Sequence, residues 1–143
     1  MTAHTILRAI LVIVAVSHVI LGILACAVGP ATIASLVTSM YGATITVTPQ
    51  LHHVIRILGA FMIAIGIMSA LAIRDPERNR AIVDGIGILQ ILRAAQRVIF
   101  ASQIQEVFGM PSGRLMLQSA FFFVLGLLLL LLRPHAVRVE ARV

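Results

Sequence analysis

Residues 81–103 read AIVDGIGILQILRAAQRVIFASQ. The stretch is long enough to span a bilayer, since about 20 helical residues cross a hydrocarbon core roughly 30 Å thick. It also carries Gln90, Arg93 and Arg97. At about 100° per residue these three fall within about 60° of one helix face. Gln96 and Gln103 extend the polar arc beside them. An Arg at a helix centre costs about 2.5–3.5 kcal/mol on insertion scales, so this helix is a poor inserter by itself. Its polar face must turn toward a bundle interior or a wet cavity.

Three further apolar segments flank it, at about 6–28, 51–73 and 115–132. Lipid requires every backbone polar group to be paired internally, and four segments are too few for a closed barrel. The expectation is an all-α fold: a four-transmembrane-helix bundle, with residues 1–143 forming one integral membrane domain. Composition agrees. The chain is 60% hydrophobic and 11% charged, with a mean hydropathy of +1.08. A soluble domain carries about 25% charged residues.

The loops set an orientation. Arg74, Arg78 and Arg80 lie between the second and third segments, Arg133, Arg138 and Arg142 lie in the tail, and Arg8 is near the start. These seven fall on one side, against Arg114 alone on the other. The positive-inside rule then places both termini in the cytoplasm of a multi-pass plasma-membrane protein. Pro76 and Pro134 end the helices before them, and residues 109–113 form the outer turn.

The first outer loop has a pattern of its own. Ile33, Leu36, Val37, Met40 and Tyr41 recur at helical spacing, with Thr32, Ser35, Thr38 and Ser39 opposite them. That is a short amphipathic helix ended by Gly42, either a lid over the bundle or a plain interfacial anchor. Residues 44–48 alternate Thr with Ile or Val, an extended pattern.

The net charge of +6 comes entirely from Arg, because the chain has no Lys. The Arg residues sit in short loops and inside apolar segments rather than on a basic stripe, so nucleic acid is not an expected partner. Cys26 is the sole cysteine, which excludes an intrachain disulfide and a C-x-x-C pair.

The candidate ligand-binding residues are His18, His52, Arg56, Gln90, Arg93 and Arg97. His52, Arg56, Gly59 and Gly66 share one face of the second segment, and His18 lies with Ala15, Gly22 and Ala25 on the first. Arg56 and Arg97 are at similar depth in the outer half, with His18 and Arg93 nearer the middle, and the only acid to set against these three Arg on the outer side is Glu106. Buried charges are normally paired. An unpaired cluster predicts an anion, a lipid headgroup, a quinone carbonyl or water. The alternative is internal: helix-end carbonyls, Gln side chains and the outer loop satisfy the guanidiniums. His18 is central whereas His52 and His53 are at the outer boundary, and neighbouring Arg repels cations, so no metal site is expected. The runs at 121–123 and 127–132 are read as lipid contact.

No mid-helix Asp or Glu is present to trade protons with a substrate, which weighs against a proton-coupled transporter. No Ser or Cys nucleophile with a base and acid is visible, and no Gly-rich phosphate loop. An enzyme is not favoured, and no catalytic residue is assigned.

Three stretches carry a resemblance: 30–42, ending in Tyr41-Gly42; Arg56-Ile57-Leu58-Gly59-Ala60 continuing through Gly66; and the polar third helix around Arg97. In these the chain resembles the small DoxX-like membrane proteins, in particular a bacterial family known as a domain of unknown function. The resemblance implies a four-helix bundle in the bacterial inner membrane. It also implies a role like that of relatives that look like accessory subunits of quinone-linked oxidoreductases. The paired cysteines of redox-active relatives are missing, so thiol chemistry does not carry over. Two expectations stand beside each other. One is an accessory subunit or ligand-binding bundle without a cofactor, and the other is a quinone- or haem-linked redox component. A small transporter is third. The expected partners are the bilayer, a lipid or quinone ligand, and a larger membrane complex or a second copy of the chain.

Overall fold

Proline, threonine and glycine punctuate the helices. In a computed structural model, which describes residues 2–134, six helices follow in order. They are α1 (Ala3–Ala27), α2 (Pro30–Tyr41), α3 (Pro49–Arg74), α4 (Arg80–Ile99), α5 (Ala101–Phe108) and α6 (Ser112–Leu132). Arg138 and Arg142, used above to orient the chain, lie outside the described residues. Pro30 and Pro49 occupy first-turn positions, where a missing N–H costs nothing. The Thr48 hydroxyl accepts from the Leu51 N–H at 3.2 Å and caps α3. Gly42 and Gly109 end α2 and α5 with φ of 68° and 63°, in the left-handed region that favours glycine. No strand occurs among the described residues, and 44–48 is an irregular connection tied to α5 by the Thr44 N–H donating to the Phe108 carbonyl at 2.8 Å.

The segment expected at 81–103 is divided. α4 ends at Ile99, and Gln103 falls on α5. Phe100 joins the two with φ −103° and ψ 23°. The separation follows from packing. Ala101 and Ile104 turn toward a small cluster of Ala43, Met110 and Leu115 under the end of α2, while Ser102, Gln103 and Glu106 stay exposed.

Three helices among the described residues, α1, α3 and α6, are long and apolar enough to cross a membrane. α4 is not among them, since its 20 residues include Arg80, Asp84, Arg93 and Arg97. The helices associate as two close pairs, α1 with α3 and α4 with α6, and the pairs touch one another more sparsely. Each pair is set by glycine. A Cβ on Gly59 would come within 2.8 Å of the Gly22 carbonyl oxygen, and one on Gly126 within 2.7 Å of the Gly87 carbonyl oxygen. Backbones this close need small residues at the crossing, the main device for helix association in lipid.

At the end carrying the 75–79 turn, the two pairs meet in an apolar plug. Leu7, Leu11, Ala72, Val83 and Leu129 are each fully buried there, and Val14 and Ile86 adjoin them. Leu129 therefore belongs to the core, and Leu130 packs on Gly87, although the 127–132 run reads as lipid contact by composition. Leu127, Leu128 and Leu131 do face outward. Asp84 closes this end by pairing with Arg133 at 3.1 Å and Arg80 at 3.8 Å.

Candidate ligand pocket between the helix pairs

Above the plug the pairs separate, and a cavity of 530 Å³ opens between them. α1 supplies Val14, Ser17 and His18, α4 supplies Gln90 and Arg93, and α6 supplies Gln118 and Phe122. Met40 and Tyr41, at the end of α2, roof it. Its inner wall is buried, with Val14 at 1%, His18 at 6% and Gln90 at 1% exposure. Its rim on α1 and α6 is apolar and exposed, at Ile13, Leu117 and Phe121.

The polar groups are partly engaged with one another. The His18 Nδ1–H donates to the Val14 carbonyl at 2.9 Å, one helical turn back. That bond leaves Nε2 as the acceptor, and Arg93 Nη1 donates to it at 3.2 Å. Arg97 Nη1 donates to the Arg93 carbonyl at 3.2 Å. Both guanidiniums lie 4.7 Å from the centre of the Phe122 ring. A cation over an aromatic face gains about 0.5–2 kcal/mol, more as water is removed, but the ring carries no charge to cancel two cations. Among the described residues every salt bridge is at Asp84, at the opposite end.

Gln90 is the exception to internal satisfaction. Neither its amide nitrogen nor its oxygen has a hydrogen-bond partner, although the side chain is fully enclosed. Gln118 donates through Nε2 to the Met40 carbonyl at 3.5 Å, and its buried Oε1 has no partner. Each such orphan costs about 1–3 kcal/mol. All three of these atoms belong to Gln90 and Gln118, which line the same cavity.

Of the six residues read from the sequence, His18, Gln90 and Arg93 line this cavity together, with Arg97 stacked against the same ring. Arg97 itself faces a neighbouring depression with Gln96, Ile104 and Phe108. His52 and Arg56 lie elsewhere. His52 Nε2 lies 3.1 Å from the Val28 carbonyl, at the end of α1. Arg56 is exposed on α3, and its carbonyl accepts from the Cys26 thiol at 3.4 Å. The face of α3 that bears Gly59 and Gly66 packs against Gly22, Ala25 and Val19 of α1.

Phe122 and Gln118 are the residues whose part the sequence reading did not assign. By composition alone Phe122 reads as part of a lipid-facing aromatic run. Its spacing from Leu115, Gln118, Ser119 and Gly126 places it on the inward face of α6, and that periodicity is the signal that finds it. No group of three or more His, Cys, Asp or Glu converges on a metal-sized site among the described residues.

No family model, curated protein or solved structure matches the chain. The pocket therefore rests on its own geometry.

Proposed function

We propose that the protein is a four-helix integral membrane bundle that holds an oxygen-rich ligand in the outer half of the membrane. It acts as a ligand-binding or accessory subunit rather than as an enzyme. In this reading α4 is the fourth spanning helix. Its 20 residues rise about 30 Å at about 1.5 Å each. Arg93 lines the cavity, Val83 and Ile86 enter the plug, and Ile88 and Leu92 face outward. The Arg distribution favours cytoplasmic termini in a bacterial plasma membrane, and the DoxX-like resemblance fits the same arrangement.

The observation that carries the reading is Gln90, with both amide atoms unpartnered beside the Arg93 guanidinium. Arg93 and the Gln90 amide nitrogen donate, and among the described residues no carboxylate accepts from them. Anionic or carbonyl oxygens complete such a site.

A second reading is a quinone-linked redox component, favoured by the same donors meeting carbonyl oxygens inside an apolar wall. Haem fits less well, because both His18 ring nitrogens are already engaged and ligation would break the Arg93 contact.

Solvent extraction of the purified protein, followed by mass analysis, tests the proposal. The expected result is a lipid or quinone present in proportion to wild-type protein and depleted in Arg93→Gln. Equal extracts from both proteins would remove the ligand-binding reading.

A further inference from the structure

The orphan atoms in the cavity specify more than a charge. Gln90 Nε2 is an unused donor, while Gln90 Oε1 and Gln118 Oε1 are two unused acceptors. The Gln118 amide is oriented by its own bond to the Met40 carbonyl, so its free atom is the oxygen. A single group meeting these atoms would accept from Gln90 Nε2 and Arg93 and donate to the two amide oxygens. A quinone accepts only, and so does a bare carboxylate or phosphate diester. Two hydroxyls beside an anionic phosphate match the count.

The route of entry narrows the source. Met40 and Tyr41 cover the cavity beneath α2, and α2 is tied down by two bonds from α6. The exposed rim is apolar, with Ile13 at 60%, Leu117 at 71% and Phe121 at 57% exposure. On the reading of this chain as a membrane bundle, that rim faces acyl chains. A ligand passing between α1 and α6 keeps its tail among lipids while its head reaches Gln90.

We infer that the cavity takes the phosphoglycerol head of an acidic phospholipid, admitted laterally between α1 and α6. The phosphate accepts from Arg93 and the Gln90 amide nitrogen. The two glycerol hydroxyls donate to the Gln90 and Gln118 amide oxygens. The inference rests on the proposed ligand-binding role and gives that ligand its chemistry.

Native mass spectrometry of the purified full chain in a neutral detergent tests it. The probes are phosphatidylglycerol, phosphatidylcholine, phosphatidic acid, decylubiquinone and free glycerol 3-phosphate. Wild-type protein should retain phosphatidylglycerol about tenfold better than phosphatidylcholine or phosphatidic acid. Free glycerol 3-phosphate, lacking a tail, should not be retained. Gln90→Leu fills the same space without polar atoms and should remove the preference while leaving the protein folded. Equal retention of the three lipids, or an unchanged preference in Gln90→Leu, overturns the inference. Retention of free glycerol 3-phosphate equal to that of phosphatidylglycerol overturns the lateral route. If phosphatidic acid or decylubiquinone is held in an Arg93-dependent way and phosphatidylglycerol is not, the head assignment falls and the pocket stands. If no probe depends on Arg93, both fall.

Discussion

Arg93 Nη1 lies 3.2 Å from His18 Nε2, and this contact joins α1 to α4 across the gap between the two helix pairs. The glycine crossings hold each pair together, but at this level few other groups bridge them. The bond also fixes the ring. With Nδ1–H donated to Val14, only the neutral imidazole presents a lone pair to the guanidinium.

Replacing His18 with Ala should therefore loosen one pair from the other. A buried guanidinium loses its acceptor, at a cost of about 1–3 kcal/mol. Thermal unfolding in detergent should show a lower midpoint than wild type. An unchanged midpoint would mean that the contact contributes nothing.

The glycine crossings predict a position-specific pattern. Gly126→Leu drives a side chain into the Gly87 carbonyl and Ile91, and should destabilise by about 1–3 kcal/mol or more. Gly85 has open space around its Cβ position, so Gly85→Ala should be neutral or gain up to about 1 kcal/mol from helix propensity. Unfolding by SDS titration separates the two. Equal effects would contradict the packing described.

Gln90→Leu should make the empty protein more stable. It removes two enclosed polar atoms that have no partner, worth about 1–3 kcal/mol each before any loss of fit. A site that improves when its polar group is deleted is one whose polarity serves binding. A lower midpoint in delipidated protein would show that Gln90 has partners of its own.

Arg114 holds the roof. Its Nη2 donates to the Ser39 carbonyl at 3.3 Å, at the carbonyl end of α2, where a cation also meets the helix dipole. Arg114→Met should release about 0.3–1 kcal/mol of that attachment. Hydrogen exchange at amides 33–41 should quicken while α1 and α3 stay unchanged. Identical exchange would mean that α2 is held by its apolar face alone.

Much of the fold was legible from hydropathy and punctuation. Gly42 and the apolar spacing from Ile33 to Tyr41 give α2 and its last residue, because capping chemistry is local. The break at Phe100 was not legible. Neither Gly nor Pro marks it, and it arises from Ala101 and Ile104 reaching a cluster built by residues far away in sequence. The site was legible in part for a similar reason. Gln90 and Arg93 share one helix face, which periodicity reveals, and His18 sits on a small-residue face that must pack inward. Arg56 is exposed although it shares a face with Gly59 and Gly66, because it lies at the edge of that face, about 60° from Gly59. Its helix turns the neighbouring glycines, not the guanidinium, toward α1. Arg97, His52 and Arg114 each reach a backbone carbonyl, so the internal alternative accounts for part of the polar set.

The pocket depends on α4 crossing the membrane with its charges inward. Spin labels at Ile88→Cys and Leu92→Cys, in a Cys26→Ala background reconstituted into vesicles, test this directly. These side chains are 51% and 60% exposed and point away from Gln90 and Arg93. Power-saturation EPR should find both labels accessible to oxygen and shielded from a water-soluble nickel chelate. Strong collision with the chelate at both positions would place α4 at the membrane surface and contradict the account.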